Sequence, residues 1–128
     1  MHLKQVGFFR ELKHGSPDGP PLQKSIQRAT PPDEDLIVQY LESGSVVAAT
    51  GSLTNDVLDP SKKGVAPLEI ATDGEWVWPL DLPYYVRTYH VQLPMEFIEH
   101  MRRRHWRPRS LTSSELEMVE SDYLSQSI

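Results

Sequence analysis

The chain predicts an α+β domain: a small antiparallel sheet of three to four strands, with helices grouped in the C-terminal half. Three observations carry this. Two runs around Asp73-Gly74, Leu68–Thr72 and Glu75–Trp78, alternate in side-chain character and flank a dipeptide favoured in type I′ hairpin turns. Three segments after Pro79 have apolar residues at helical spacing. Strand signals then helix signals, without βαβ alternation, point to an antiparallel sheet with segregated helices.

Taken in order, residues 1–12 read as a first strand or extended piece that offers Val6, Phe8 and Phe9 to a core. Residues 13–33 contain SPDGPP and TPPDED, both strong chain breakers, and leave room for a short helix around Leu22–Arg28. Residues 33–43 read as a helix. Asp33, Glu34 and Asp35 sit where the positive end of its dipole favours acids, Leu36, Ile37, Tyr40 and Leu41 share a face, and Gly44 stops it. Ser45–Thr50 is β-branched and apolar, which predicts a strand buried on both sides or nearly so. Residues 51–67 lack periodicity and predict a long loop, functional or mobile at that length.

In the hairpin that follows, Trp76 and Trp78 are two apart and so share a face. They are expected to cover the helices at 82–90 and 94–105. The first has the stripe Leu82, Tyr85, Val86 and Tyr89, with Pro83 in its first turn and His90 at its end. The second opens at Pro94, turns Phe97, Ile98 and Met101 inward, and closes at Trp106. A last helix begins at Thr112 with Glu115 three residues on, a capping box, and lines its buried side with Leu116, Val119 and Tyr123. The division is one domain over residues 1–109, with residues 110–128 as a C-terminal helix packed on it or partly mobile.

With 128 residues, 38% of them hydrophobic, the chain can build one modest core. It has no cysteine, which removes disulfides, thiolate metal sites and cysteine nucleophiles. No apolar run approaches the roughly 20 residues needed to span a bilayer, and the N-terminus lacks a signal-peptide pattern. The expectation is a soluble, cytoplasmic protein without membrane contact. No nucleophile elbow, P-loop or dinucleotide fingerprint is present. His100 and His105 are five apart and turn to different helix faces, unlike an HExxH pair. The sequence therefore gives no catalytic residue, no metal ligand set and no cofactor, and predicts a non-enzymatic protein.

The net charge of −5 conceals segregation. Residues 33–81 hold ten acids and two lysines, while residues 101–109 hold five arginines and no acid. Arginines beside Trp106 invite a nucleic-acid reading, but consecutive helical positions fan out at about 100° each and cannot form one patch. The acidic tail lies close enough in sequence to pair with them.

The patterns D-G-x-W-x-W-P-x-D-L-x-Y-Y-V from Asp73 and L-P-x-E-F-x-E-H-M-R from Leu93, with G-F-F-R-E-L at 7–12 and D-V-L-D-P at 56–60, resemble a group of small bacterial proteins without an assigned activity. The group is similar to the acidic immunity proteins that accompany polymorphic or contact-dependent toxins. The resemblance covers most of residues 6–106 and transfers no catalytic residue. It implies a protein that binds and blocks a cognate toxin, its acidic surface occupying a basic active site. The expected contacts are Asp33, Glu34, Asp35, Asp56, Asp59 and Glu75, with Trp76 as an aromatic anchor on condition that it is exposed. The alternative is a nucleic-acid-binding or regulatory adaptor protein that uses Arg102–Arg109.

Overall fold

The computed structural model describes residues 3–12 and 15–126, so the ends of the expected first strand and of the tail lie outside the described residues. The elements are β1 (Lys4–Gln5), α1 (Glu34–Glu42), β2 (Ser45–Thr54), β3 (Ala66–Thr72), β4 (Trp76–Pro79), α2 (Leu82–Tyr89), α3 (Met95–Arg103) and α4 (Ser113–Gln126). A single 3-10 turn, Leu22–Ser25, interrupts the loop before α1. The architecture is α+β, as the pattern of strand and helix signals predicts.

The sheet runs β1-β4-β3-β2. β2–β3 and β3–β4 pair antiparallel, while β1 pairs parallel with β4. The sheet is therefore mixed, a correction to the purely antiparallel expectation. β1 is only two residues long, because Gly7 takes φ +81 and turns the chain away from the sheet. A Cβ at Gly7 would also stand 2.5 Å from the Leu82 side chain.

Alternation along β4 separates two cores. Trp76 and Trp78 face one side with Tyr40, Leu41, Tyr85, Phe97 and Met101. Val77 faces the other with Leu3, Phe8, Val47, Ile70 and Val119. On the first side Phe97 is the hub: its ring centroid is 4.8 Å from that of Trp76, 5.7 Å from Trp78 and 6.1 Å from Tyr40. Helices α1, α2 and α3 contribute to this side. On the other, α4 brings Val119, Leu116 and Tyr123, with Tyr123 stacked on Phe8. Apolar burial on both faces of the sheet is the main stabilising term.

The limits of α1, α2 and α3 and the start of α4 fall within two residues of those expected, while the short helix expected around Leu22–Arg28 is a 3-10 turn that ends at Ser25. Gly44 ends α1, as the sequence implies, and has a packing reason as well: a Cβ there would lie 2.5 Å from the Trp78 ring. Within α1, however, Val38 is buried and Leu36 is exposed. β2 departs most from expectation. It is an edge strand of ten residues, and only Val47 and Thr54 are buried. A strand at the edge, shifted in register at two places, cannot bury both faces. Its extension to Thr54 shortens the loop to residues 55–65.

Candidate functional site: a pegged loop and a buried turn network

Two buried aspartates organise the irregular chain at opposite ends of β3. The first, Asp56, opens the loop 55–65. Its Oδ1 accepts the N–H groups of Leu58 (2.7 Å) and Asp59 (3.0 Å), closing an Asx-type turn. Its Oδ2 accepts the hydroxyls of Tyr84 and Tyr89 from α2, each at 2.6 Å. The tyrosines are five apart on α2 and converge on one oxygen because the loop lies along that side of the helix. Tyr85 adds a third tie, its hydroxyl oxygen accepting the Val57 N–H at 2.9 Å. Burial raises the Asp56 pKa, but the two hydroxyls and two N–H groups outweigh it and hold the carboxylate below its ordinary value. Burial, and then the Asp56 carboxylate, push Tyr84 up to about 12, so its proton stays in the hydrogen bond.

The outer side of the same loop is different. Leu53, at the end of β2, is 65% exposed, and Val57 is 38% exposed. Leu53 lies 3.3 Å from where a Cβ on Gly64 would stand, so strand end and loop form one surface. The loop also carries Asp59, Lys62 and Lys63. The Asp59 carboxylate accepts from Ser61 and lies 4.0 Å from Lys62. Lys62 also sits over the Tyr89 ring.

The second aspartate, Asp73, holds the β3–β4 turn. Its Oδ1 accepts the N–H groups of Glu75 and Trp76. Its Oδ2 accepts the Tyr40 hydroxyl at 2.5 Å and faces His100 Nε2 at 2.8 Å. Only Gly74 takes a positive φ, +99, and Asp73 does not, so this is not a type I′ turn. The side-chain bonds substitute for the backbone geometry that the dipeptide suggested. Burial raises the Tyr40 pKa far above its ordinary value, and the bond to Asp73 adds to this. Tyr40 is therefore a fixed proton donor and a poor nucleophile. His100 Nδ1 lies 3.7 Å from the exposed Glu75 carboxylate. A histidine between two carboxylates resembles an acid–base pair, but Phe97 and Trp76 pack against its ring and Asp73 is fully engaged. Chemically, the group locks α1, α3 and the turn together.

The seven expected contact residues divide. Glu34 is buried and bonded to His90 at 2.6 Å; Asp56 is buried as described. Trp76 is 4% exposed, so the condition for an anchor is not met. Asp33 is half-buried and pairs with Arg102. Asp35 and Glu75 are exposed, and Asp59 is half-exposed. They do not form one patch. Asp59 and Glu75 lie beyond opposite ends of β3, a strand about 20 Å long at ~3.3 Å per residue. In the basic run, Asp33 and Glu115 pair with Arg102 and Arg109, while Arg103, Arg104 and Arg107 have no ion pair among the described residues.

Sequence reading missed the anchoring roles of Tyr40, Tyr84, Tyr89 and His100. Tyr40 and Tyr89 were legible only as members of helical stripes, and Tyr84 fell outside them. Their hydroxyl partners come from 28 to 33 positions away. Among the described residues, no group of three metal-ligating side chains converges, and no helix is long and apolar enough to cross a membrane. No protein-family model, curated protein or solved structure matches the chain.

Proposed function

We propose that the protein is a non-enzymatic immunity protein that binds and neutralises a cognate bacterial toxin. The observation that supports this reading is the pegged loop 55–65. Four hydrogen bonds to one buried carboxylate fix its inner side, while Leu53 and Val57 stand exposed on its outer side. A loop ordered before binding loses little conformational freedom on docking. Exposed aliphatic groups on a loop that also carries the Asp59–Lys62 pair fit the apolar centre and polar rim of an interface. The partner surface is assigned to this loop and the end of β2, in place of a continuous acidic face.

Co-purification with proteins of the native cell tests the reading. Recovery of one toxin at equal stoichiometry is expected. Leu53→Glu with Val57→Glu should weaken that complex by at least about tenfold without unfolding the domain, since both side chains are exposed. Unchanged affinity would remove the loop from the interface. Failure to recover any protein partner would remove the immunity reading.

Arg103, Arg104 and Arg107, which have no ion pair among the described residues, favour a second reading, contact with nucleic acid. Its signature is an affinity that falls steeply with salt.

A further inference from the structure

A cleft of about 510 Å³ opens between the segment after β1, the loop around the 3-10 turn, and the chain entering α3. This is a size that small organic ligands fill. Phe8, Phe9, Leu93 and Met95 give it apolar lining, beside the polar Gln5, Ser16, Ser25 and Gln92. Met95 is 64% exposed. Among the described residues, Lys24 is the only charged one in the lining. It has no ion pair among the described residues.

The backbone adds an independent observation. Gly7, Phe8 and Phe9 are buried and line the cleft. Their flanking groups are used: the Val6 N–H bonds to Val77, the Phe8 oxygen accepts from Ser16, and the Phe9 oxygen accepts from Leu12. The N–H groups of Gly7, Phe8 and Phe9 meet no acceptor among the described residues. Lining an open cleft, these three successive donors are available to water or to a ligand's acceptor. Gly7 at φ +81 gives this run its bend, and the adjacent Leu82 leaves no space for a side chain there.

We infer that this cleft binds a small amphiphilic carboxylate, with its anionic head held by Lys24 and the Gly7–Phe9 backbone donors and its apolar body on Phe8, Phe9, Leu93 and Met95. The carboxylate accepts these hydrogen bonds and neutralises the unpaired cation. The hydrocarbon part covers the apolar lining. This site is separate from the proposed docking loop, so each can fail without the other.

The test is titration of the ¹⁵N-labelled protein with octanoate, read from its amide spectrum, with octan-1-ol as the uncharged control. Octanoate should give saturable shifts at Gly7, Phe8 and Phe9 with a dissociation constant below about 1 mM. The alcohol should bind at least about tenfold more weakly. Lys24→Glu, at an exposed position, should reduce octanoate affinity by at least about tenfold. Met95→Glu, which places a charge in the apolar lining, should do the same. Shifts absent at these three amides up to about 10 mM, or an affinity indifferent to both substitutions, would overturn the assignment.

Discussion

Asp81 offers the sharpest quantitative test of this structure. It stands just before α2, is 1% exposed, and neither carboxylate oxygen has a hydrogen-bond partner among the described residues. Burial pushes its pKa up to about 6, from an ordinary 3.8, and outweighs a lowering contribution from its own backbone N–H. The folded state therefore holds the proton more tightly than the unfolded chain does. Between these values the native protein binds more protons, so stability falls as pH rises through the window and stays lower above it. At about 1.36 kcal/mol per pH unit, the gap converts to about 3 kcal/mol in all. Roughly 2.4 kcal/mol of that falls between pH 4 and pH 7.5. Asp81→Asn keeps the shape and removes the charge. Urea unfolding of both proteins at several pH values supplies the assay. The variant's stability relative to wild type should rise by about 2–2.5 kcal/mol from pH 4 to pH 7.5. The pH-independent cost of a buried amide cancels in that difference. A relative stability that changes by less than about 0.5 kcal/mol over this range would show that Asp81 is solvated or paired, and the reasoning would fall.

Asp56 has the opposite sign, because its folded pKa is depressed. Its contribution is present above the ordinary carboxylate value and is lost as pH falls below it, so amide exchange at Leu58 and Asp59 should accelerate in acid while the core strands remain protected. Tyr84→Phe with Tyr89→Phe should remove both hydroxyl donors, destabilise the loop by about 1–3 kcal/mol and shift that acceleration to higher pH. At the other end of β3, His100→Leu should destabilise the domain by about 2–3 kcal/mol in denaturant, because Asp73 remains buried with one donor fewer. His100→Gln, which restores a donor, should recover part of the loss.

Elements governed by local chemistry were legible in the sequence. Helices α2, α3 and α4 follow from their stripes, and the Thr112–Glu115 capping box is present as two reciprocal bonds of 3.1 Å. Trp76 and Trp78 share a face because a strand alternates. Properties decided by sheet position were not legible. The run SVVAAT reads as a doubly buried strand, yet β2 lies at the edge, where burial depends on what stands beside it. The same limit applies to the site. Asp56, Asp59 and Glu75 were expected to act together, but Asp56 turns inward to α2 and Glu75 lies beyond the far end of β3. Charge in a sequence segment does not reveal which carboxylates the fold uses internally.

That internal use changes what the acidic segment can do. Glu34, Asp56, Asp73 and Asp81 are buried. Asp33, Glu42 and Asp59 each lie within 4.0 Å of a cation. Of the ten acids in residues 33–81, only Asp35, Glu69 and Glu75 are both outside the core and without a lysine or arginine partner among the described residues. Long-range steering needs an uncompensated field, and paired or buried charges supply little of one. If the pegged loop is the docking surface, association with the partner should depend weakly on salt, with its rate constant falling less than about threefold from 50 to 300 mM. Dissociation should respond instead to Leu53→Glu and Val57→Glu. Stopped-flow association across that salt range separates the two pictures. A rate that drops by more than about tenfold would mean that charge, despite its internal compensation, guides the encounter, and the docking surface would then have to include Asp35 and Glu75.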